Sequence, residues 1–199
     1  MTGYESILAD EFGRRPVAES HTVYEGLVWN VARDSVDFAP GVNFSRDYVA
    51  HTGAVAILAL THEGEAIVIR QYRHPAGAHM WELPAGLLDK EGEDPAAAAL
   101  RELEEETGYT ASEAHHLLDY YPSAGVSNEK ISVYVAHECV KAPSVDFTRV
   151  DEEAEILTRT VALDDLESAA LSGRLHNSAL LIATLAYTAR ARRSGSPIA

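Results

Sequence analysis

Residues 86–109, Gly-Leu-Leu-Asp-Lys-Glu-Gly-Glu-Asp-Pro-Ala-Ala-Ala-Ala-Leu-Arg-Glu-Leu-Glu-Glu-Glu-Thr-Gly-Tyr, put a Gly-rich turn, a helix start and a run of carboxylates into one short segment. Asp94 before Pro95 reads as an N-cap followed by the first helical residue, where a missing N–H costs nothing. Gly108 suits the left-handed C-cap position, so a helix is expected from Pro95 to Thr107. At about 100° per residue, Glu102, Glu105 and Glu106 fall on one arc, and Ala96, Leu100, Leu103 and Thr107 form a neighbouring face that can pack on a core. Like charges on one arc repel, at a cost of a few tenths of a kcal/mol per pair. Such a face is either solvated or offset by a cation.

Carboxylate oxygens on a rigid helix match Mg²⁺ or Mn²⁺, which prefer oxygen ligands and are commonly shared with substrate phosphates. The string as a whole reads Gly86, six residues, Glu93, seven residues, then Arg101-Glu102-Leu103-Glu104-Glu105-Glu106-Thr107-Gly108-Tyr109. It resembles the signature of the Nudix hydrolases, G-x₅-E-x₇-R-E-U-x-E-E-x-G-U, where U is a bulky aliphatic residue. The first spacer here is one residue longer, in the Leu87–Gly92 loop where an insertion is cheap, and Tyr109 stands in an aliphatic position. The resemblance implies that Glu102 and Glu106 are metal ligands with Glu105 beside them, and that the main-chain carbonyl of Ala85 is a further ligand. It implies that Glu93 and Arg101 orient those ligands. Glu104 points away from the arc and is expected to be solvated.

A chain of 199 residues, 46% hydrophobic, can bury one substantial core. The expected organisation is an N-terminal arm and small antiparallel sheet over 1–51, a main domain over 52–193 and a flexible tail over 194–199. The lone Cys139 excludes a disulfide framework and suits a buried strand in a cytoplasmic protein. The longest apolar runs, 53–60 and 179–187, are too short to span a bilayer, so no membrane partner is expected. A formal charge of −15 argues against nucleic acid, which needs a clustered basic surface. The same charge means that an anionic substrate must be held by local Arg residues and divalent cations.

Strands are expected at 21–31, 34–38 and 43–51, then at 54–60 and 65–72 around a hairpin loop containing Gly64. Further strands are expected at 114–121, 130–137 and 157–162, and helices at 163–172 and 177–193, the last with an apolar stripe of Leu180, Leu181 and Leu185. That order gives an α/β fold with a mixed sheet between helices, in keeping with the Nudix α/β/α sandwich, preceded by an antiparallel β arm.

Outside the carboxylate segment, Arg70-Gln-Tyr-Arg73-His-Pro and Trp81-Glu-Leu-Pro-Ala-Gly86 resemble the run found in ADP-ribose pyrophosphatases. The resemblance implies that Arg73 contacts the substrate diphosphate, a role suited to guanidinium geometry, and that Glu82 binds a substrate group. Trp81 is read as a core or interface residue. Ser123-Ala-Gly-Val-Ser-Asn-Glu129 resembles the S-P-G-x-[ST]-x-E loop of the same subfamily, which implies Glu129 as general base, with Ala124 in place of the usual Pro. The subfamily is commonly a homodimer with shared active sites. That implies residues 23–51 as the crossing arm, with Trp29 or Arg33 near the neighbour's nucleotide. The implied activity is Mg²⁺-dependent hydrolysis of ADP-ribose to AMP and ribose 5-phosphate. The alternatives are another nucleoside diphosphate derivative (an NDP-sugar, a dinucleotide or an oxidised nucleotide) or a non-catalytic nucleotide sensor.

Overall fold

The computed structural model describes residues 8–143 and 155–194. The chain divides into two compact units, one running to His51 and taking in Gly125–Ser127, the other made of the remainder. In the first, β1 (Val17–Glu25), β2 (Asn30–Ala39) and β3 (Val42–Ala50) form an antiparallel sheet in the order β1-β2-β3. One strand was expected over 21–31. A turn interrupts it, closed by the Gly26 N–H on the Trp29 carbonyl at 3.1 Å. A Cβ at Gly26 would sit 2.3 Å from that carbonyl oxygen, so only glycine fits the turn. Within the expected arm, the first strand begins at Val17, and residues 1–7 and most of the expected tail, 195–199, lie outside the described residues.

The second unit is built on β4 (Ala54–Thr61), in which every residue is buried. Val55, Ile57 and Ala59 face one apolar cluster, with Ala98, Ala99 and Leu103 of α1 (Pro95–Thr107). Ala56, Leu58 and Leu60 face the other, with Leu166 of α2 (Leu163–Leu171) and Leu180, Ala183 and Tyr187 of α3 (Ser178–Ser194). A strand buried on both faces reads as a continuous apolar run, as it does here.

The sheet is mixed: its main path is β11-β5-β4-β10-β8, with β6 on β5, β7 on β4 and β9 on β10. β4 and β10 (Ile131–Lys141) run parallel, while β5 (Glu65–Arg73), β7 (Ala85–Leu87), β9 (His115–Tyr120) and β11 (Leu157–Ala162) add antiparallel pairs. β6 (Ala78–Glu82), β7 and the two-residue β8 (Tyr109–Thr110) were not expected as strands. Along β10 the register shifts between Ala136 and Cys139, and Glu138 takes a left-handed φ of 54°. The shift turns Cys139 into the α1-side cluster, where it is buried as expected.

The helix ends follow the sequence reading. Asp94 Oδ1 accepts from the Ala96 and Ala97 N–H groups, Pro95 opens α1, and Gly108 closes it at φ 70°. Ala98, Ala99, Leu103 and Thr107 are the buried residues of α1, with Ala96 and Leu100 only partly buried at the margin of the expected face. In α3 the fully buried stripe is Leu180, Ala183, Thr184 and Tyr187, with Leu181 and Leu185 on its flank. Leu103 is 0% exposed at the α1–β4 contact. Leu103→Ala should lower unfolding free energy by about 2–5 kcal/mol, read by urea denaturation, and a loss under about 1 kcal/mol would contradict this packing.

Candidate active site

The carboxylates of α1 meet a strand whose backbone comes close because it carries no side chain. A Cβ built on Gly86 of β7 would lie 2.1 Å from the Glu102 carboxylate, so any larger residue here would push that carboxylate from its place. One residue earlier, the Ala85 N–H donates to Glu106 Oε2 at 2.9 Å. β7 is itself fixed to β4 by the pairs Ala54–Leu87, Val55–Gly86 and Ala56–Ala85.

Arg101 organises the cluster. Its Nε and Nη2 donate to the two oxygens of Glu93 at 3.0 and 3.1 Å, a bidentate fork. Its Nη1 donates to Glu102 at 2.6 Å and to Glu105 at 2.9 Å. The cation expected to relieve repulsion on this arc is thus supplied in part by the helix itself. Hydrogen bonding to Arg101 holds the Glu93 carboxyl below the usual carboxylate range. For Glu102 burial is the largest influence and pushes its pKa up, against the downward pull of Arg101. Glu104 is only partly exposed. As the side chains lie, no three His, Cys, Asp or Glu among the described residues converge on one point: Glu102 and Glu105 turn to Arg101, and Glu106 to Ala85.

The predicted substrate residues Arg73 and Glu82 are partners of each other. Arg73 Nη2 donates to Glu82 Oε2 at 2.7 Å and its Nε to Oε1 at 3.0 Å, with Glu82 2% exposed and Arg73 facing outward. Gln71, which the sequence reading passed over, is buried beside them and donates to Glu82 at 3.4 Å. Its place two residues before Arg73 on a strand was the available signal.

Glu129 lies half-buried in the segment joining β9 to β10. Its charge reaches Tyr120, whose hydroxyl bonds Ser178 at 3.1 Å and whose pKa is raised first by burial and then by Glu129. Trp29 and Arg33 belong to the first unit. There Trp29 stacks on His51 with ring centroids 4.2 Å apart, and Arg33 grips Asp47 through two bonds of 2.6 Å.

The raised pKa of Glu102 fixes the sign of its contribution to stability. A carboxyl with a folded pKa above its unfolded value favours the fold fully only below the unfolded value, and that benefit disappears as pH rises through the folded one. Glu102→Gln should therefore raise Tm at pH 7 in EDTA by about 1–3 °C, with the gain vanishing near pH 4. Calorimetry showing no gain at pH 7 would contradict burial as the dominant influence.

Similarity to known proteins places this chain in a family. The model of the NUDIX domain matches residues 50–181. An ADP-ribose pyrophosphatase of Bacillus subtilis is 38% identical over 72% of this chain and 76% of its own. Another, of Mycobacterium tuberculosis, is 36% identical over 85% and 81%. A methanol dehydrogenase activator of Bacillus methanolicus is 35% identical over 83% and 88%. Among solved structures, the crystal structure of an ADP compounds hydrolase superposes with a TM-score of 0.76 over 94% of this chain and 99% of its own, at 20% identity, a likeness of fold. The chain belongs to the Nudix hydrolase family.

Proposed function

We propose that this enzyme is a Mg²⁺-dependent pyrophosphohydrolase that cleaves ADP-ribose to AMP and ribose 5-phosphate, with Mn²⁺ as a substitute cation. The observation that carries the reading is the α1 carboxylate cluster held against the bare backbone of Gly86. Similarity to two ADP-ribose pyrophosphatases over most of the chain supports the substrate.

The donor set fits a hard divalent cation. All the candidate ligands are oxygens, and the partly buried Glu102 carboxylate gains from added positive charge. The Ala85 carbonyl with Glu102, Glu105 and Glu106 would hold the ion. When bound, it would offset the charge of the diphosphate and lower the pKa of water. Glu93 keeps Arg101 in place, so that the guanidinium orients Glu102 and Glu105. Arg73 presents its outward guanidinium to a phosphate while Glu82 fixes its direction. Glu129 takes the proton of the attacking water. The water oxygen joins one phosphorus, the bridging P–O bond breaks, and two monophosphates leave. Ala124, where the subfamily carries Pro, favours a second reading in which the same chemistry acts on another nucleoside diphosphate derivative.

Product analysis by chromatography over a panel of these substrates, with and without Mg²⁺, separates the two readings: AMP and ribose 5-phosphate are expected from ADP-ribose, only with the cation. Glu106→Gln should lower kcat by about a hundredfold or more at saturating Mg²⁺ while the fold survives. Near-normal turnover would remove Glu106 from the ligand set.

The lone, buried Cys139 thiol suits a reducing cytoplasm. The first unit supports a homodimer. Its three strands and turns leave Tyr24, Leu27, Val28, Phe38, Val42 and Phe44 exposed, more apolar surface than so small a sheet can cover alone. In the dimer, Trp29 and Arg33 of the partner subunit would border the nucleotide. Size-exclusion chromatography with light scattering should give twice the 21.6 kDa chain mass, and a clear monomer would refute the shared site.

A further inference from the structure

We infer that the second unit carries a separate binding site for a nucleoside phosphate, centred on Trp81 and on the α2 side of the sheet. The inference does not rest on the catalytic reading. Successive β5 side chains alternate between faces, so Gln71 and Arg73 meet Glu82 on one side while Arg70 lies on the other. Arg70 stands opposite Trp81 in β6 and opposite Leu157 in β11, and cross-strand partners share a face. Arg159 stands opposite Val68, diagonal to Arg70 on that same face.

Two cavities of about 320 and 390 Å³ share Trp81, Arg174 and Leu175. Each is within the size range of small-ligand sites. Val68, Val161, Leu166 and Ala169 give the first an apolar wall, and Arg159 lines it as well. His79 and His176 line the second. Asp165 is the one acid among the lining residues of either cavity.

The charge pattern selects the ligand. The chain carries 31 acidic residues against 16 Lys and Arg, yet Arg70, Arg159 and Arg174 have no carboxylate partner among the described residues, and the Arg174 guanidinium donates to the Ser172 hydroxyl. Guanidinium groups without an acid partner among the described residues favour an anion, and their planar donors suit phosphate oxygens. Trp81 packs one part against the core and lines both cavities with the rest. An indole beside an apolar wall adds affinity for a planar base, which inorganic phosphate lacks.

AMP is the probe. Trp29→Phe leaves Trp81 as the remaining tryptophan, and its fluorescence is titrated with AMP in EDTA. Saturable quenching with Kd below about 1 mM is expected. It should weaken at least about tenfold in Trp29→Phe carrying Arg159→Gln and Arg174→Gln, both exposed positions. It should be unchanged when Glu106→Gln is added, and inorganic phosphate should compete at least tenfold more weakly than AMP. Absence of saturable quenching, or quenching retained without the two arginines, would overturn the site. Loss on Glu106→Gln would assign the nucleotide to the carboxylate cluster instead, and equal competition by phosphate would overturn recognition of the base.

Discussion

Complete burial of β4 is the constraint on which the candidate active site depends. Its alternate residues enter two separate apolar clusters, so α1 is held on one face and α2 with α3 on the other. Its N-terminal half pairs with β7, which brings Gly86 to α1, and its parallel partner β10 begins just beyond Glu129. A shift of β4 by one residue would exchange the two clusters and carry β7 away from the carboxylates. Core packing and placement of the site are thus one problem solved by eight residues.

Two ion pairs then divide the electrostatic work. Arg73 with Glu82 is a deeply desolvated carboxylate whose guanidinium partner still faces water. Burying a carboxylate is costly unless it is paired and hydrogen-bonded, and the bidentate contact with Gln71 beside it meets that condition. Arg101 has the opposite task. It spreads one positive charge over Glu93, Glu102 and Glu105, which leaves a net negative cluster able to attract a divalent cation and to keep its own geometry meanwhile.

The sequence was most legible where local chemistry decides the outcome. Asp94, Pro95 and Gly108 bound α1 because caps act over a single turn, and the apolar run of β4 could be buried only one way. The added residue between Gly86 and Glu93 fell in an exposed turn closed by the Glu93 N–H on the Lys90 carbonyl, so Glu93 still reaches Arg101. Features that depend on distant partners were not legible. β6 and β7 are short and are strands because β5 and β4 offer them hydrogen bonds. The break at Gly26 lay between two β-prone stretches, Thr22–Tyr24 and Leu27–Trp29, that outweighed the single glycine. The bond from Ala85 to Glu106 joins residues 21 apart, and nothing in either segment announces it. Trp81 was read as core or interface, and it does pack against the core, but its position between two cavities follows from the neighbouring strand and helix.

The irregularity in β10 has a reach beyond its own position. In regular alternation after Tyr134 and Ala136, the next inward side chain would be Glu138. Instead Cys139 joins that cluster, Glu138 reaches His62 across the surface at 2.7 Å, and burial pushes the thiol up to about 11. The extra residue therefore acts as a parity switch: it lets one strand serve β4 and β9 in its first part and β8 at its end without carrying a carboxylate into the interior. It also keeps the one sulfhydryl of the chain protonated and enclosed, which removes it from the reactive surface of the enzyme.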